Sequence, residues 1–196
     1  MQIKIKTEIR QEQIRKAAIQ LISEVSLNNL TIADIADKIG VTKSNIYRHF
    51  PSKIAIIEDI IKMIDFKLQK IILDSETIKD PSEKLRNIFL SHIKLLKNCN
   101  GAPLFIFTDK LCMSSSNIKS VMQNTVNTYT QQINGIISEG IEYGNFKNDI
   151  DIKTAVEVYL GLIQSVIFQW LVSNGAFSPA ARGEKFWEIF LNGVTE

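Results

Sequence analysis

"TIADIADKIGVTKSNIYRHFPSK", Thr31 to Lys53, holds two short helical patterns separated by one glycine. Thr31 followed by Asp34 is close to a capping box, although Asp reaches less well than Glu. Gly40 ends the first segment as a left-handed residue would. Thr42 caps the second, "KSNIYRHF", and Pro51 stops it. Ala36 is small where the two helices must cross. Ile35, Ile39, Val41, Ile46 and Phe50 supply a shared core, with Ile46 and Phe50 four apart on one face. The other faces carry Lys43 with Tyr47, Ser44 with Arg48, and Asn45 with His49. From Gly40 to Lys53 there are Lys43, Arg48, Lys53 and one His, and no carboxylate. Helix, tight turn and second helix make a helix-turn-helix. Its outward groups are donors and acceptors suited to phosphates and base edges. Thr31, Thr42, Lys53 and the amides opening the second helix are placed to reach phosphates.

Charge supports this. Residues 1–53 hold nine Lys/Arg and five Asp/Glu, a local +4, and the rest of the 196-residue chain is net −2. Positive charge gathers where a polyanion would meet the protein. The basic segment "KIKTEIR", Lys4–Arg10, is read as a frayed, solvated terminus, with a backbone-binding arm as the alternative. On these residues alone a helical protein-interaction module without DNA binding stays open.

At 45% apolar and 22% charged the composition is that of an ordinary globular chain. The N-terminus lacks the apolar run of a signal peptide, and no run of about 18 apolar residues is seen. A cytoplasmic protein is expected, with Cys99 and Cys112 as reduced thiols rather than a metal pair. Two His, two Cys, no Gly-rich phosphate loop and no H-E-x-x-H leave little for catalysis. Neither an enzyme nor a cofactor is expected.

Strand-like alternation is scarce, so the chain reads as all-α, with about nine helices. Thr7 caps a first helix to about Ser26, with a stripe of Ile14, Ala17, Ala18, Leu21, Ile22 and Val25. Ser52 caps a fourth, to about Leu73. Asp80 and Pro81 open a fifth, to about Asn98. Short segments follow around Leu104–Met113. Long helices span about Asn117–Tyr143 and, capped by Asp151, run to about Ser173. The last spans about Ala180–Asn192. This gives a helix-turn-helix DNA-binding domain over residues 1–53 and a helical ligand-binding and dimerisation domain over 54–196.

"LTIADIADKIGVTKSNIYRHFPSKIAII" resembles the DNA-binding signature of TetR-family transcriptional regulators. That signature has a Thr opening the second helix, A-x-x-x-G-V, a Tyr, a His-Phe pair and a Lys. Here they are Thr31, Ala36, Gly40–Val41, Tyr47, His49–Phe50 and Lys53. The resemblance covers about residues 10–60. It implies that Tyr47, His49 and Lys53 hold the phosphate backbone, and that Lys43, Ser44, Asn45 and Arg48 face the groove. The segment "GLIQSVIFQWLVSNGAFSPAARGEKFWEIFLNGV", residues 161–194, loosely resembles the C-terminal part of the family's regulators of fatty-acid degradation, which respond to long-chain acyl-CoA.

A DNA reader of this kind needs a partner copy to place two recognition helices roughly 34–36 Å apart on a palindromic operator. The helix "IKTAVEVYLGLIQSVIFQWLVS" is apolar nearly all round, as a helix buried on two sides would be. With the last helix it is the expected homodimer seam, through Val158, Leu162, Val166, Trp170, Phe186, Trp187 and Phe190. Apolar walls with a few polar groups suit a small hydrophobic effector. The candidates are Phe89, His92, Ile93 and Leu96; Phe105, Phe107 and Met122; Tyr129 and Ile133; Leu160, Ile163, Gln164 and Phe168. His92, Tyr129 and Gln164 stand out because polar groups on apolar faces need partners. The expected function is a repressor released from operator DNA by a fatty acyl-CoA or similar lipid. A multidrug or other aromatic or apolar effector is the alternative.

Overall fold

The structure, a computed structural model, describes residues 2–25, 27–108 and 116–195, without the side chains of residues 2–6, 107 and 108. Cys112 lies outside the described residues, and Cys99 is buried. Among them are nine helices and no strand. They are α1 Gln2–Val25, α2 Ile32–Lys38, α3 Lys43–Tyr47, α4 Lys53–Asp74, α5 Pro81–Asn98, α6 Ala102–Thr108, α7 Ser116–Glu142, α8 Ile152–Val172 and α9 Pro179–Val194. The chain packs as two compact units, residues 1–64 with 99–123, and residues 65–98 with 124–196.

Local chemistry sets the helix ends. The Thr31–Asp34 capping box forms in full: Asp34 N–H donates to Thr31 Oγ1 at 3.2 Å, and Thr31 N–H to Asp34 Oδ2 at 2.9 Å. The Thr31 hydroxyl, donating to Asp34 Oδ2 at 2.7 Å, and then the Thr31 N–H hold the Asp34 carboxyl below its ordinary pKa, keeping it charged at the positive end of α2. Gly40 takes φ +68°, which a side chain would strain. Thr42 accepts from Asn45 N–H and opens α3. Asp151 accepts from Lys153 and Thr154 to open α8, and Ser178 opens α9 with Pro179 behind it.

Two ends differ from expectation. Thr7 lies inside α1, which begins at Gln2 and absorbs the segment read as frayed. α3 stops at Tyr47 rather than Phe50. Arg48–Phe50 fold into a turn in which His49 and Phe50 N–H both donate to Ile46 C=O. Pro51 disfavours helix at the residue before it, so the turn tightens early.

In the first unit Ile14, Ala18 and Ile22 of α1 are buried with Ile35, Ala36, Ile46 and Phe50. Ile56, Ile57, Ile60 and Ile61 of α4 close that core. Arg15 of α1 pairs with Asp59 of α4 at 2.7 Å. In the second unit α5, α8 and α9 pack on one another. Phe89, Tyr159, Trp187 and Phe190 form a box of rings with neighbouring centroids 5.2–5.9 Å apart. Arg86 of α5 clamps Glu184 of α9 through Nε at 3.1 Å and Nη2 at 2.8 Å.

By length and composition α8 is apolar enough to cross a membrane, with mean hydropathy 1.5, a feature the sequence reading passed over. Its buried residues Ala155, Val156, Tyr159, Ile163, Val166 and Ile167 instead serve the core of its unit.

Gly140 of α7 lies directly under the Phe146 ring, and a Cβ there would overlap it. In an open helix Gly→Ala would stabilise by roughly 1 kcal/mol. Here overpacking reverses the sign, and Gly140→Ala is expected to cost about 1–3 kcal/mol, read as a lowered urea midpoint.

Candidate nucleic-acid interface and effector site

On the first unit Thr31, Thr42, Lys43, Ser44, Tyr47 and Arg48 are all exposed. Tyr47 is 53% exposed while its neighbour Ile46 is fully buried, so one residue anchors α3 and the next presents a phenol. Asn45 and His49 are half-buried, one turn apart. Asn45 Oδ1 and His49 Nδ1 are enclosed without a partner among the described residues. Burial lowers the His49 pKa, and the nearby cations Arg48 and Arg10 lower it further. A ring N–H of His49 can donate to a phosphate. Arg10, read from the sequence as part of a solvated terminus, stands on α1 close enough to act on His49.

Lys53 points inward. Its Nζ donates to Leu27 C=O at 3.1 Å and Leu30 C=O at 3.0 Å, tying the start of α4 to the loop between α1 and α2. One N–H remains for another acceptor. The surface left outside is two cations, a phenol and several hydroxyls with no carboxylate on α3. That surface can bind a phosphate backbone and offer Lys43, Ser44 and Arg48 to base edges.

The effector candidates scatter. Phe105 and Met122 belong to the first unit, Phe105 being 42% exposed and Met122 buried. Phe107 lies outside the described residues' side chains. In the second unit Phe89, Ile93, Leu96, Ile133 and Ile163 are plain core. Leu160 is half-buried, Gln164 exposed and Phe168 62% exposed. Phe168 thus faces out, against its expected place in a pocket wall. A groove of about 450 Å³ between α5 and the start of α9 shares only Ile93 with the expected set; Lys94, Lys97, Ser91 and Asn98 also line it.

What comes together is His92 with Tyr129. His92 Nδ1 lies 3.0 Å from the Tyr129 hydroxyl. The Tyr159 hydroxyl, buried in the same unit, donates to Leu85 C=O at 3.1 Å. Tyr159 was not singled out by sequence, since it reads as one more apolar position of α8. The direction of the His92–Tyr129 bond follows the His tautomer, while Tyr159 gives its proton to the carbonyl. Burial raises both tyrosine pKa values and pushes His92 down to about 4. At neutral pH these three side chains are uncharged polar groups, His92 half-buried and the two tyrosines buried.

Dimer candidates divide likewise. Val166, Trp187 and Phe190 are buried in their own unit, Trp187 and Phe190 being walls of the aromatic box, so they cannot form an outer seam. Leu162, Trp170 and Phe186 are half-buried. The outward face of α8 carries Val158, 48% exposed, with Phe168 and Val172, and Ile189 of α9 is 65% exposed.

Because His92 has a folded pKa below its unfolded value near 6.5, the unfolded chain takes up the proton first as pH falls. Its contribution to stability is nil above about pH 6.5. It becomes a loss of up to about 3 kcal/mol by pH 4. His92→Asn is expected to flatten that part of the stability profile. Urea melts of both proteins at pH 7.5 and 4.5 check it, and parallel profiles would refute the shift.

Residues 14–60 match the family of bacterial regulatory proteins named for TetR, and residues 57–193 match the YsiA-like C-terminal region. The fatty acid metabolism regulator protein of Bacillus subtilis is 26% identical over 187 residues, 93% of this chain and 94% of that protein. The solved structure of the ketosteroid regulator KstR2 of Mycobacterium tuberculosis superposes with TM-score 0.84 at 20% identity, covering 95% of each chain. That of FadR from Bacillus subtilis in complex with stearoyl-CoA gives 0.77 at 22%, covering 93% of this chain and 98% of that one. The all-helical fold, the exposed acid-free α3 and the two matches together make this chain a member of the TetR family, a ligand-responsive DNA-binding transcriptional regulator and not an enzyme.

Proposed function

We propose that the protein is a cytoplasmic homodimeric repressor that leaves a palindromic operator when a fatty acyl thioester binds its second unit. The carrying observation for DNA is the α3 surface: Ile46 buried, and Tyr47, Arg48, Lys43 and Ser44 exposed with no acid among them. Phosphate contacts come from Tyr47, Arg48, Lys43, the Thr31 and Thr42 hydroxyls, a ring N–H of His49 and Arg10 from α1. The remaining N–H of Lys53 adds a contact. Asn45 reads a base only after turning its amide outward.

For the effector, the support is likeness to a fatty-acid regulator along nearly the whole chain, with an apolar second unit holding the polar groups of His92, Tyr129 and Tyr159. For the dimer, the support is an outward stripe of Val158, Leu162, Phe168 and Val172 on α8, interleaved with Gly161 and Ser165. An added Cβ at Gly161 would meet open space, so a second helix can approach closely there. Exposed apolar surface of this extent marks an association site. Switching occupancy from nearly full to nearly empty requires the effector to favour the released conformer by about 5 kcal/mol.

Titration of the protein on its own promoter at several salt concentrations tests the reading. Affinity is expected to fall steeply with salt, and Lys43→Ala to lower the slope by about one per half-site. Palmitoyl-CoA is expected to release the DNA. A flat salt response overturns the operator assignment, and indifference to palmitoyl-CoA overturns the acyl effector.

A further inference from the structure

In the second unit one hydrogen bond joins the side chains of α4 and α7: Gln132 Nε2 donates to Gln69 Oε1 at 2.8 Å. The other half of each amide, Gln69 Nε2 and Gln132 Oε1, is closed off from solvent without a partner. This inventory does not depend on how the amides are oriented. Exchanging O and N on both side chains still leaves one donor and one acceptor, and exchanging only one sets like against like. Buried polar groups almost always find partners. A pair of apolar side chains would hold α4 to α7 without orphaned groups, so the two glutamines are poor choices for packing alone. Gln132 is three residues from Tyr129, hence its neighbour on the face of α7.

We propose that Gln69 and Gln132 recognise an amide group of the effector, which gives its N–H to the free carbonyl and accepts from the free NH₂. The proposal rests on the acyl-effector reading and narrows it. An ionised carboxylate offers acceptors only, and would set negative charge against the free carbonyl oxygen. A thioester alone also lacks a donor. A secondary amide supplies both, so an acyl thioester on an amide-bearing arm is preferred over a free fatty acid. In the packing described both orphaned atoms are closed, so docking requires the amides to turn or α4 to shift along α7. An effector that satisfies them favours a different position of α4, and α4 begins in the helix-turn-helix unit.

The test measures calorimetric binding of three probes to the full chain: palmitoyl-CoA, S-palmitoyl-N-acetylcysteamine and palmitate. The second probe keeps the thioester and one amide but has no nucleotide. The wild type is expected to bind both amide-bearing probes at least about tenfold more tightly than palmitate, the discrimination expected when buried polar groups are left unpaired. The Gln69→Leu/Gln132→Leu double variant is expected to lose that preference while its urea midpoint holds or rises. If the leucine pair does not fold, Gln132→Met alone carries the same expectation for the preference. Equal binding of all three probes by the wild type keeps the acyl reading and overturns the amide proposal. So does a preference that survives the substitutions. A preference for palmitoyl-CoA not shared by the cysteamine thioester assigns recognition to the nucleotide and also overturns it. Failure of every probe to bind overturns both readings.

Discussion

One unbroken helix supplies both hydrophobic cores. Ile56, Ile57, Ile60 and Ile61 of α4 are buried in the first unit and Leu68 in the second. Its 22 residues span roughly 33 Å and include neither Pro nor Gly. Helices kink sharply at such residues, so α4 has no built-in place to absorb a bend. Residues 65–74 belong to the second unit, and residues 53–64 are the end of α4 that belongs to the first. The DNA-reading face is fixed to that end by the isoleucine core, by Arg15–Asp59 and by Lys53.

Lys53 shows how one residue serves geometry before it serves a ligand. Two of its N–H groups replace water on the Leu27 and Leu30 carbonyls, which a tight loop leaves without helical partners. The first turn of α4 is thereby located relative to the loop before α2. α3 lies between these anchors, five residues long, with Ile46 as its only buried side chain. So short a helix has little stability of its own. Its orientation comes from Gly40, the Thr42 cap and the core under Ile46 and Phe50.

The elements were legible because their signals are local. A Thr with an acid three residues on, a Gly at positive φ and an Asp before a Pro each act within one turn, and the caps at Thr31, Thr42, Asp80 and Asp151 stand where the sequence put them. What failed was assignment of faces. α8 is apolar nearly all round, so its sequence carries no weighting toward one side. Only its neighbours decide that Val166 is core and Phe168 is surface. The partners of Lys53 were invisible for another reason: backbone carbonyls have no sequence signature. His92 and Tyr129 were separable from the apolar set because buried polar groups need partners, but Tyr159 with Leu85 and the Gln69–Gln132 pair join positions 74 and 63 residues apart.

The opposite sides of α8 follow opposite rules for a physical reason. Inward, Tyr159 is fully buried, so its hydroxyl must be paired; the Leu85 carbonyl does this, and the ring fills the aromatic box. Outward, Val158, Leu162, Phe168 and Val172 lie with Gly161 and Ser165, a mostly apolar surface that gains by excluding water and whose Ser165 hydroxyl is already paired with Gln169. The inner side is specific because unpaired hydroxyls are costly there; the outer side is adhesive because it is not. In the proposed dimer one rigid helix then joins the inner polar groups to the partner copy. An effector that reorders those groups has two elements to act on, α8 at the seam and α4 toward the DNA. The seam gains stability from every apolar contact it keeps, whereas the bond between α4 and α7 in the second unit is an amide pair with half its hydrogen bonds unmade. In the proposed switch, motion goes into α4, the element that leads to the recognition helix.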